Sequence, residues 1–302
     1  MRRKTGGVLV AVLTGAGMVL TGCTTKPPPP PSGDGCAKPA TTVTDKAGTV
    51  AVGTTARRYT WSASDRTGPK PLVIDFHGLM EGTAGVHPTM TQFTPKAQRE
   101  GFVVAFPVGE GGGLNWDLTK NGPSLKFVDQ LLAQLKSDAC IDSKRIYATG
   151  LSYGGFMTSS VMCHRSEVFA AAAPVAGMLN PADCSPARRI PAVAFHGTAD
   201  PILPYAGFAE TPQAWATRYG CGAKTTATVI ASDATTKQPI FKDTWDCQAQ
   251  GTAVEFYRVQ GGGHSWPGSA FSTSIGSIVG PTPTSINATD VMWDFFKRFS
   301  LP

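Results

Sequence analysis

A serine in the middle of the chain has the sequence context of an enzymatic nucleophile. Gly150-Leu151-Ser152-Tyr153-Gly154 fits the pattern G-x-S-x-G, in which a sharp strand-to-helix turn exposes the hydroxyl group. Segment 145–149 predicts the strand before this turn, and segment 156–163 predicts the helix after it. Because the pattern often occurs by chance, the prediction of a nucleophile depends on partners elsewhere in the chain.

Two further residues could complete an acid–base system with this serine. Asp200 follows a predicted strand over 192–195, and His264 follows one over 254–259 in a glycine-rich loop. The order Ser, Asp, His along the chain is that of the α/β-hydrolase triad, and ligand-facing residues of open parallel sheets lie at such strand ends. Taken singly, Asp200 could be a turn residue and His264 a surface histidine. Their order and positions together predict a catalytic triad with Ser152.

Backbone amides near the serine could stabilise a developing negative charge. In this fold one amide follows the nucleophile and the other lies in a loop after an early strand, so we expect Tyr153 and Leu79 to form the oxyanion hole. His77 begins that loop, and we interpret it as orienting the loop and bordering the substrate site rather than transferring protons. The other histidines are assigned to structural or surface positions: His196 as structural, His164 on a helix surface, and His87 at the surface or the pocket mouth.

Short apolar runs alternate with helical patterns along the rest of the chain. Strands are predicted over 58–62, 72–76, 102–106, 145–149, 171–176, 192–195 and 254–259, and a crossover helix over 125–136. This alternation is typical of an α/β fold with a mainly parallel sheet and helices on both faces. Asn287 is predicted to cap a last helix. Segment 207–250 is predicted to hold a helix around Trp215 and a small β-excursion pinned by Cys221 and Cys247.

The N-terminus predicts export and a membrane anchor. A basic start and an uncharged apolar run over 6–20 are typical of a signal peptide, here 1–22. Leu20-Thr21-Gly22-Cys23 resembles a bacterial lipobox, so lipidation of Cys23 is predicted, with ordinary cleavage nearby as the alternative. Residues 23–35 then form a proline-rich linker, in which a polyproline run acts as a spacer. Residues 36–302 are predicted to be one catalytic domain.

Composition limits the compartment and the partners. The 302 residues include 7 Cys, an odd number that lipidation of Cys23 would reduce to an even set able to form three disulfides in an oxidising compartment. Half of the formal charge of +6 belongs to the signal peptide, and no basic block follows it, so nucleic-acid binding is not predicted. Metal-protease and P-loop motifs are missing, so neither a metal nor a cofactor is predicted. The six remaining cysteines are Cys36, Cys140, Cys163, Cys184, Cys221 and Cys247.

Several segments together resemble an extracellular esterase family that includes polyhydroxybutyrate depolymerase-like and feruloyl esterase-like lipoproteins. The matching segments are 75–78, 148–155, 173–177, 195–205 and 261–268. The resemblance implies the same triad and places Tyr205 and Trp266 near the substrate cleft. Together with the modest length of the last two loops, it also suggests the disulfides Cys36–Cys140, Cys163–Cys184 and Cys221–Cys247.

The resemblance implies hydrolysis of carboxylic esters through an acyl-enzyme, by a protein anchored at the outer face of a bacterial membrane or released from it. The substrate would be a small or polymeric ester, and soluble short-acyl or aromatic esters are favoured because no polymer-binding module is visible. Acyl transfer to a cell-envelope sugar, as in mycolyltransferases, is one alternative. A prolyl oligopeptidase-type peptidase is another, although no propeller-forming segment is visible. A catalytically silent binding lipoprotein is hard to reconcile with an intact triad.

Overall fold

The strands in the part of the chain that the structure describes form one ten-stranded sheet. The structure is a computed structural model and describes residues 34–82, 85–225 and 227–302. The predicted signal peptide, Cys23 and the linker as far as residue 33 lie outside the described residues. No described helix has the length and apolar character needed to cross a membrane.

The sheet is parallel in the middle and antiparallel at both edges. Its strand order is β1-β2-β4-β3-β5-β6-β7-β10-β9-β8. Strands β4, β3, β5, β6, β7 and β10 run parallel, whereas β1 and β2 at one edge and β9 and β8 at the other pair antiparallel. The strands are β1 Val43–Val52, β2 Thr55–Ala63, β3 Lys70–Phe76, β4 Val103–Pro107, β5 Ile141–Leu151, β6 Ala171–Val175, β7 Ala192–Gly197, β8 Thr228–Ser232, β9 Pro239–Thr244 and β10 Val254–Val259.

Helices cover both faces of this sheet. Buried side chains of α5, α6 and α7 pack on one face, and those of α2, α3 and α10 pack on the other. The helices are α1 Asp34–Ala37, α2 Val86–Thr91, α3 Phe93–Glu100, α4 Glu110–Gly113, α5 Pro123–Asp138, α6 Tyr153–His164, α7 Thr211–Arg218, α8 Ala270–Ser274, α9 Gly276–Val279 and α10 Ala288–Phe296. The predicted α/β fold is therefore confirmed.

Strand β3 is almost continuously apolar and contributes side chains to the hydrophobic cores on both faces of the sheet. All seven of its residues are buried, as expected for a central strand covered on both sides. Ile74 and Phe76 belong to the core under α5 and α6, whereas Val73 belongs to the core under α3 and α10. Because side chains alternate along a strand, Asp75 lies on the same face as Val73. This buried carboxylate becomes important for the site.

The edges of the sheet differ from the sequence-based prediction. Strand β1 was not predicted, because its run of exposed residues lacks the apolar character that marks the central strands. The predicted β-excursion after Trp215 is present as β8 and β9, and β9 joins it to the main sheet by pairing with β10. The predicted helix around Trp215 is confirmed as α7.

The disulfides and one helix cap agree with the predictions made from the sequence. Three disulfides join Cys36 to Cys140, Cys163 to Cys184 and Cys221 to Cys247, which confirms the suggested pairing. The Asn287 side chain accepts a hydrogen bond from the backbone N–H of Asp290 at the start of α10, which satisfies one of the unpaired donors at a helix N-terminus.

Candidate active site

Ser152 lies in a strained turn between β5 and α6. Its backbone φ and ψ are 58° and −119°, a region that is costly for a residue with a Cβ atom and that is found at functional sites. Its own N–H donates to the carbonyl oxygen of Val175 at 2.9 Å. A Cβ atom on Gly154 would come within 1.9 Å of the Phe76 carbonyl oxygen. Glycine is therefore required for α6 to pack this closely behind the serine.

Asp200 and His264 meet at the carboxyl ends of neighbouring strands. Asp200 follows β7 and His264 follows β10, and these two strands pair in parallel. The Asp200 Oδ2 atom lies 2.7 Å from His264 Nδ1, and both residues are buried. Among the described contacts, the ring of His264 forms its hydrogen bond through Nδ1 alone, which leaves Nε2 available to a hydroxyl group. The His264 N–H also donates to Val279 O at 2.6 Å, which fixes the loop.

The carboxylate of Asp200 is held ionised by its own loop. Its Oδ1 atom accepts the N–H groups of Ile202 and Leu203 at 2.9 and 2.8 Å. Burial alone would raise the pKa of Asp200, but hydrogen bonds from His196, His264 and Leu203 outweigh burial and bring the pKa well below its usual range. His196 also contacts Leu203 O at 2.9 Å. An ionised, fixed carboxylate is what an imidazole needs in order to keep one tautomer and to gain a proton.

The strand order brings Ser152 to the carboxyl ends of the parallel strands, where Asp200 and His264 also lie. Strands β5, β6, β7 and β10 are consecutive neighbours, so the loops that carry Ser152, Asp200 and His264 all leave the sheet at its carboxyl edge. No hydrogen bond joins Ser152 to His264 among the contacts of the described residues. In substrate-free enzymes this contact is often long and tightens only when substrate is bound.

The two amides predicted for the oxyanion hole are free to bind a ligand. Within the described residues, neither Leu79 N–H nor Tyr153 N–H donates a hydrogen bond to the protein. Tyr153 is the first residue of α6, where backbone N–H groups have no partner inside the helix. Leu79 lies in the loop after β3, which we call the oxyanion loop and define as residues 77–82.

His77 fixes the orientation of one of these amides. Gly109 N–H donates to His77 Nε2 at 2.8 Å, so the ring proton lies on Nδ1, which donates to Gly78 O at 2.6 Å. Because the peptide group is planar and trans, a fixed Gly78 carbonyl makes the Leu79 N–H point the opposite way. Burial lowers the pKa of His77 to about 4, so the ring stays neutral and keeps this tautomer.

Comparisons with known proteins agree with this geometry. A model of the prolyl oligopeptidase family matches residues 91–185. Feruloyl esterase B of Piromyces equi is 28% identical over 263 residues, which are 78% of this chain and 44% of the relative. The bifunctional acetylxylan esterase/xylanase of Neocallimastix patriciarum is 27% identical over 250 residues, covering 80% of this chain and 33% of the relative. The chain thus spans less than half the length of these two relatives.

A solved structure shows the same fold. The acetyl xylan esterase from Aspergillus awamori superposes with a TM-score of 0.57 at 18% identity, over 73% of this chain and 94% of the other. The chain has the α/β-hydrolase fold and is similar in sequence to feruloyl esterases. The mainly parallel sheet, the serine turn and the Asp–His pair lie where this fold requires them.

Two predicted substrate contacts of this α/β-hydrolase need correction. Trp266 is only 1% exposed, and its Nε1–H donates to Thr289 Oγ1 at 3.0 Å, so it is a core side chain under the catalytic loop. His77 is also buried, and both of its ring nitrogens bond to the protein. Its ring therefore orients the oxyanion loop without a free atom for substrate. Tyr205 is half-buried and lies 5.8 Å from the His196 ring, and its substrate contact stays a prediction.

The structure also adds residues that sequence inspection missed. Trp116 donates from Nε1 to His77 O at 2.9 Å, and Gly109 holds the His77 ring. Glu81 accepts the Gly78 N–H at 2.9 Å. Gly109 and Trp116 lie between β4 and α5, whereas Glu81 lies in the oxyanion loop, so no local motif marks the set. In the described part of the hydrolase, no group of three or more His, Cys, Asp or Glu side chains could hold a metal ion.

Proposed function

We propose that this protein is a serine carboxylesterase that hydrolyses carboxylic esters through an acyl-enzyme, with Ser152, His264 and Asp200 as its triad. The observation that carries the proposal is the 2.7 Å contact between Asp200 and His264, formed at the sheet edge where the strained serine also lies. Sequence similarity to a feruloyl esterase and to an acetylxylan esterase supports ester bonds as the target.

The mechanism follows from the hydrogen bonds of the site. His264 Nε2 takes the proton of Ser152 as the oxygen attacks the ester carbonyl, and Asp200 stabilises the resulting imidazolium. The N–H groups of Leu79 and Tyr153 stabilise the oxyanion, which is usually the largest single contribution to such catalysis. His264 then protonates the leaving alcohol, which leaves an acyl-enzyme on Ser152. A water molecule that gives its proton to His264 attacks this acyl group, and the acid is released as Ser152 regains its proton.

The surface around the site favours an apolar or aromatic substrate. Large apolar side chains are exposed on three loops at this edge of the sheet, where Leu79 is 52% and Met80 is 68% exposed. Leu114 adjoins them through a hydrogen bond from Met80 N to Leu114 O at 2.8 Å, and Ile202 follows the catalytic aspartate. Exposed apolar groups beside a polar reaction centre are typical of a binding site. We therefore propose soluble feruloyl and short-acyl esters as substrates.

We further propose that the protein is exported and held at the membrane by a lipid on Cys23. The three disulfides support an oxidising compartment, because such bonds are rare in the cytosol. Replacing Cys23 with Ala should move the protein from the membrane fraction to the soluble fraction. An unchanged distribution between the two fractions would reject the anchor and leave the esterase proposal intact.

The decisive experiment measures hydrolysis of soluble esters by wild type and by Ser152→Ala. We expect activity on feruloyl and short-chain esters to disappear in the variant, with an unchanged circular dichroism spectrum and melting temperature. The panel should include a polyhydroxybutyrate film and proline-containing peptides, because the prolyl oligopeptidase match covers the serine turn. Full activity of Ser152→Ala would reject the mechanism. Film or peptide turnover without soluble ester turnover would reject the substrate class.

A further inference from the structure

A second histidine–carboxylate cluster is buried behind the oxyanion loop. His87 of α2 lies with Nε2 at 2.8 Å from Asp75 Oδ1 of β3, and its Nδ1 lies 3.4 Å from Glu81 Oε2. His87 is 1% exposed and Asp75 is fully buried. Of the two positions predicted for His87, the surface is wrong, because the alternation of β3 places a buried carboxylate under α2 that pairs with the imidazole. His87 instead lines a cavity together with Asp75 and Glu81.

The cluster carries its charges in an apolar setting. The rings of Phe106 and Trp266 pack edge-on against His87, with centroids 6.5 and 6.3 Å away. Burial alone would lower the pKa of His87, but Asp75 and Glu81 outweigh burial and raise it to about 9. The imidazolium therefore persists at neutral pH and joins a carboxylate of the sheet to a carboxylate of the oxyanion loop.

Glu81 transmits this contact to the backbone of the loop. Its Oε2 atom faces His87 and also accepts the Gly78 N–H at 2.9 Å. Gly78 thus has both of its peptide groups fixed, one through Glu81 and the next through His77, which binds Gly78 O at 2.6 Å. The second of these peptides carries the Leu79 N–H. Because Glu81 is not itself deeply buried, without His87 its carboxylate could turn toward water and release Gly78.

We propose that His87 is a positioning residue for ester hydrolysis: anchored on Asp75, it holds the Glu81 carboxylate against Gly78 and keeps the Leu79 amide aimed at the oxyanion. The proposal rests on the esterase function proposed above. The role differs from that of a general base, because His87 Nε2 is hydrogen-bonded to Asp75. Nδ1 faces Glu81 at 3.4 Å as an ion pair and has no hydrogen bond within the described residues. Because the same contacts also stabilise the fold, the experiments measure catalysis per active serine separately from stability.

The structure provides a direct way to separate them. A cavity of about 550 Å³ is lined by residues that include Asp75, Glu81 and His87, and the buried Asp75 Oδ2 has no hydrogen-bond partner among the residues that the structure describes. In His87→Ala the lost ring would enlarge this cavity, and free imidazole could bind between the two carboxylates. If the His87 side chain only stabilises the fold, a small cation at this position should not raise kcat per active serine.

The first measurement is kcat and KM of His87→Ala per active serine, counted with a phosphonylating probe. We expect kcat to fall ~10- to 100-fold, less than or equal to the loss of a whole oxyanion donor. KM should change little, because the hole acts mainly on the transition state. Imidazole at pH 7 should restore part of the lost kcat, and Ser152→Ala with imidazole measures the uncatalysed background.

The second measurement keeps the test informative if His87→Ala folds poorly. Glu81→Gln retains an oxygen that can accept the Gly78 N–H, so it should keep more of kcat than Glu81→Ala. A matched control is Arg165→Ala, which removes an ion pair with Asp129 at 2.8 Å outside the site. It should change stability with kcat per active serine unchanged.

The outcomes separate this inference from the function on which it rests. If Ser152→Ala is inactive while His87→Ala keeps wild-type kcat per active serine, the esterase proposal survives and the positioning role is overturned. Failure of imidazole to restore activity, with Glu81→Gln and Glu81→Ala equally impaired, would also overturn the role. If Ser152→Ala is active, the esterase proposal itself fails.

Discussion

Two of the buried Asp–His pairs among the described residues have nearly equal lengths and different characters. Asp200 and His264 are 2.7 Å apart, and Asp75 and His87 are 2.8 Å apart. In the first pair the second ring nitrogen has no hydrogen bond within the described residues. In the second pair it faces another carboxylate, that of Glu81. The first imidazole can therefore exchange a proton, whereas the second is held as a cation between two anions.

A short Asp–His contact therefore does not by itself identify a catalytic base. The role of each histidine depends on the group that its second ring nitrogen faces and on whether a loop or a helix carries the residue. His264 lies on a loop at the carboxyl edge, where a substrate can reach it, whereas His87 lies on a helix packed against the buried face of β3. Proton transfer requires a nitrogen that alternates between two states, and a fixed ion pair suppresses that alternation.

The largest effect should come from removing the base of the first pair. His264→Ala should lower kcat by roughly 10⁶, about as much as Ser152→Ala, because triad members act as a unit. The double variant should lose little more than either single variant. Steady-state kinetics on a soluble ester checks this. A double variant with the product of the two losses would show that the residues act independently and would contradict the triad.

Replacing each aspartate with asparagine should distinguish the roles of the two Asp–His pairs. Asp200→Asn should lower kcat by about 10⁴, because the imidazole would adopt the wrong tautomer. Asp75→Asn should lower kcat by no more than about tenfold, because Asp75 acts only through His87 and Glu81 on the orientation of an amide. Kinetics normalised to titrated serine compares them directly. Equal losses would mean that the second pair takes part in proton transfer.

The second pair should also give stability a pH dependence. Since the pKa of His87 is raised to about 9 in the folded state from about 6.5 in an unfolded chain, the pair stabilises the fold fully below pH 6.5. This contribution, on the order of 3 kcal/mol, is lost as pH rises through about 9. The stability difference between wild type and His87→Gln should therefore shrink from pH 6.5 to pH 10, as measured by urea unfolding.

Comparison with His87→Gln cancels the titration of other groups. The lowered pKa of Glu81 keeps its carboxylate ionised over this range, and neutral His77 loses no proton there because its pKa is about 4. Wild type and variant should share the remaining pH dependence. A difference in unfolding free energy that stays constant from pH 6.5 to pH 10 would argue against a charged His87.

The smallest effect should come from replacing Trp266, which is close to His264 in the chain and packs against His87. Trp266 follows His264 by two residues, and its ring packs against His87. In Trp266→Phe the hydrogen bond to Thr289 is lost, which should cost about 1 kcal/mol of stability. With a core role, KM and kcat should change by less than about twofold. A large rise in KM would restore the predicted substrate contact of Trp266.

Much of this protein could be predicted from its sequence, and the parts that could not share a cause. The serine turn, the apolar central strands and the Asn287 cap are encoded in residues adjacent in the chain, so local patterns indicate them. Strand β1 is largely exposed and was not predicted. The β-excursion within 207–250 was predicted without the bounds of its strands, because β8 is mostly exposed and β9 is only partly buried. The role of His77 in orienting a loop followed from its position after β3, whereas its partner Gly109 did not.

Residue type and short-range spacing are enough to predict the serine turn, the order of the acid and base candidates, the α/β alternation and the disulfide cysteines. Backbone geometry converts such local patterns directly into structure. Packing between distant segments is needed to show which histidine has a ring nitrogen without a partner among the described residues and which lies between two carboxylates. Asp75, Glu81 and His87 look unremarkable in the chain because their roles depend on which face of β3 is covered by α2. That packing follows from the burial of the whole sheet, which no segment specifies alone.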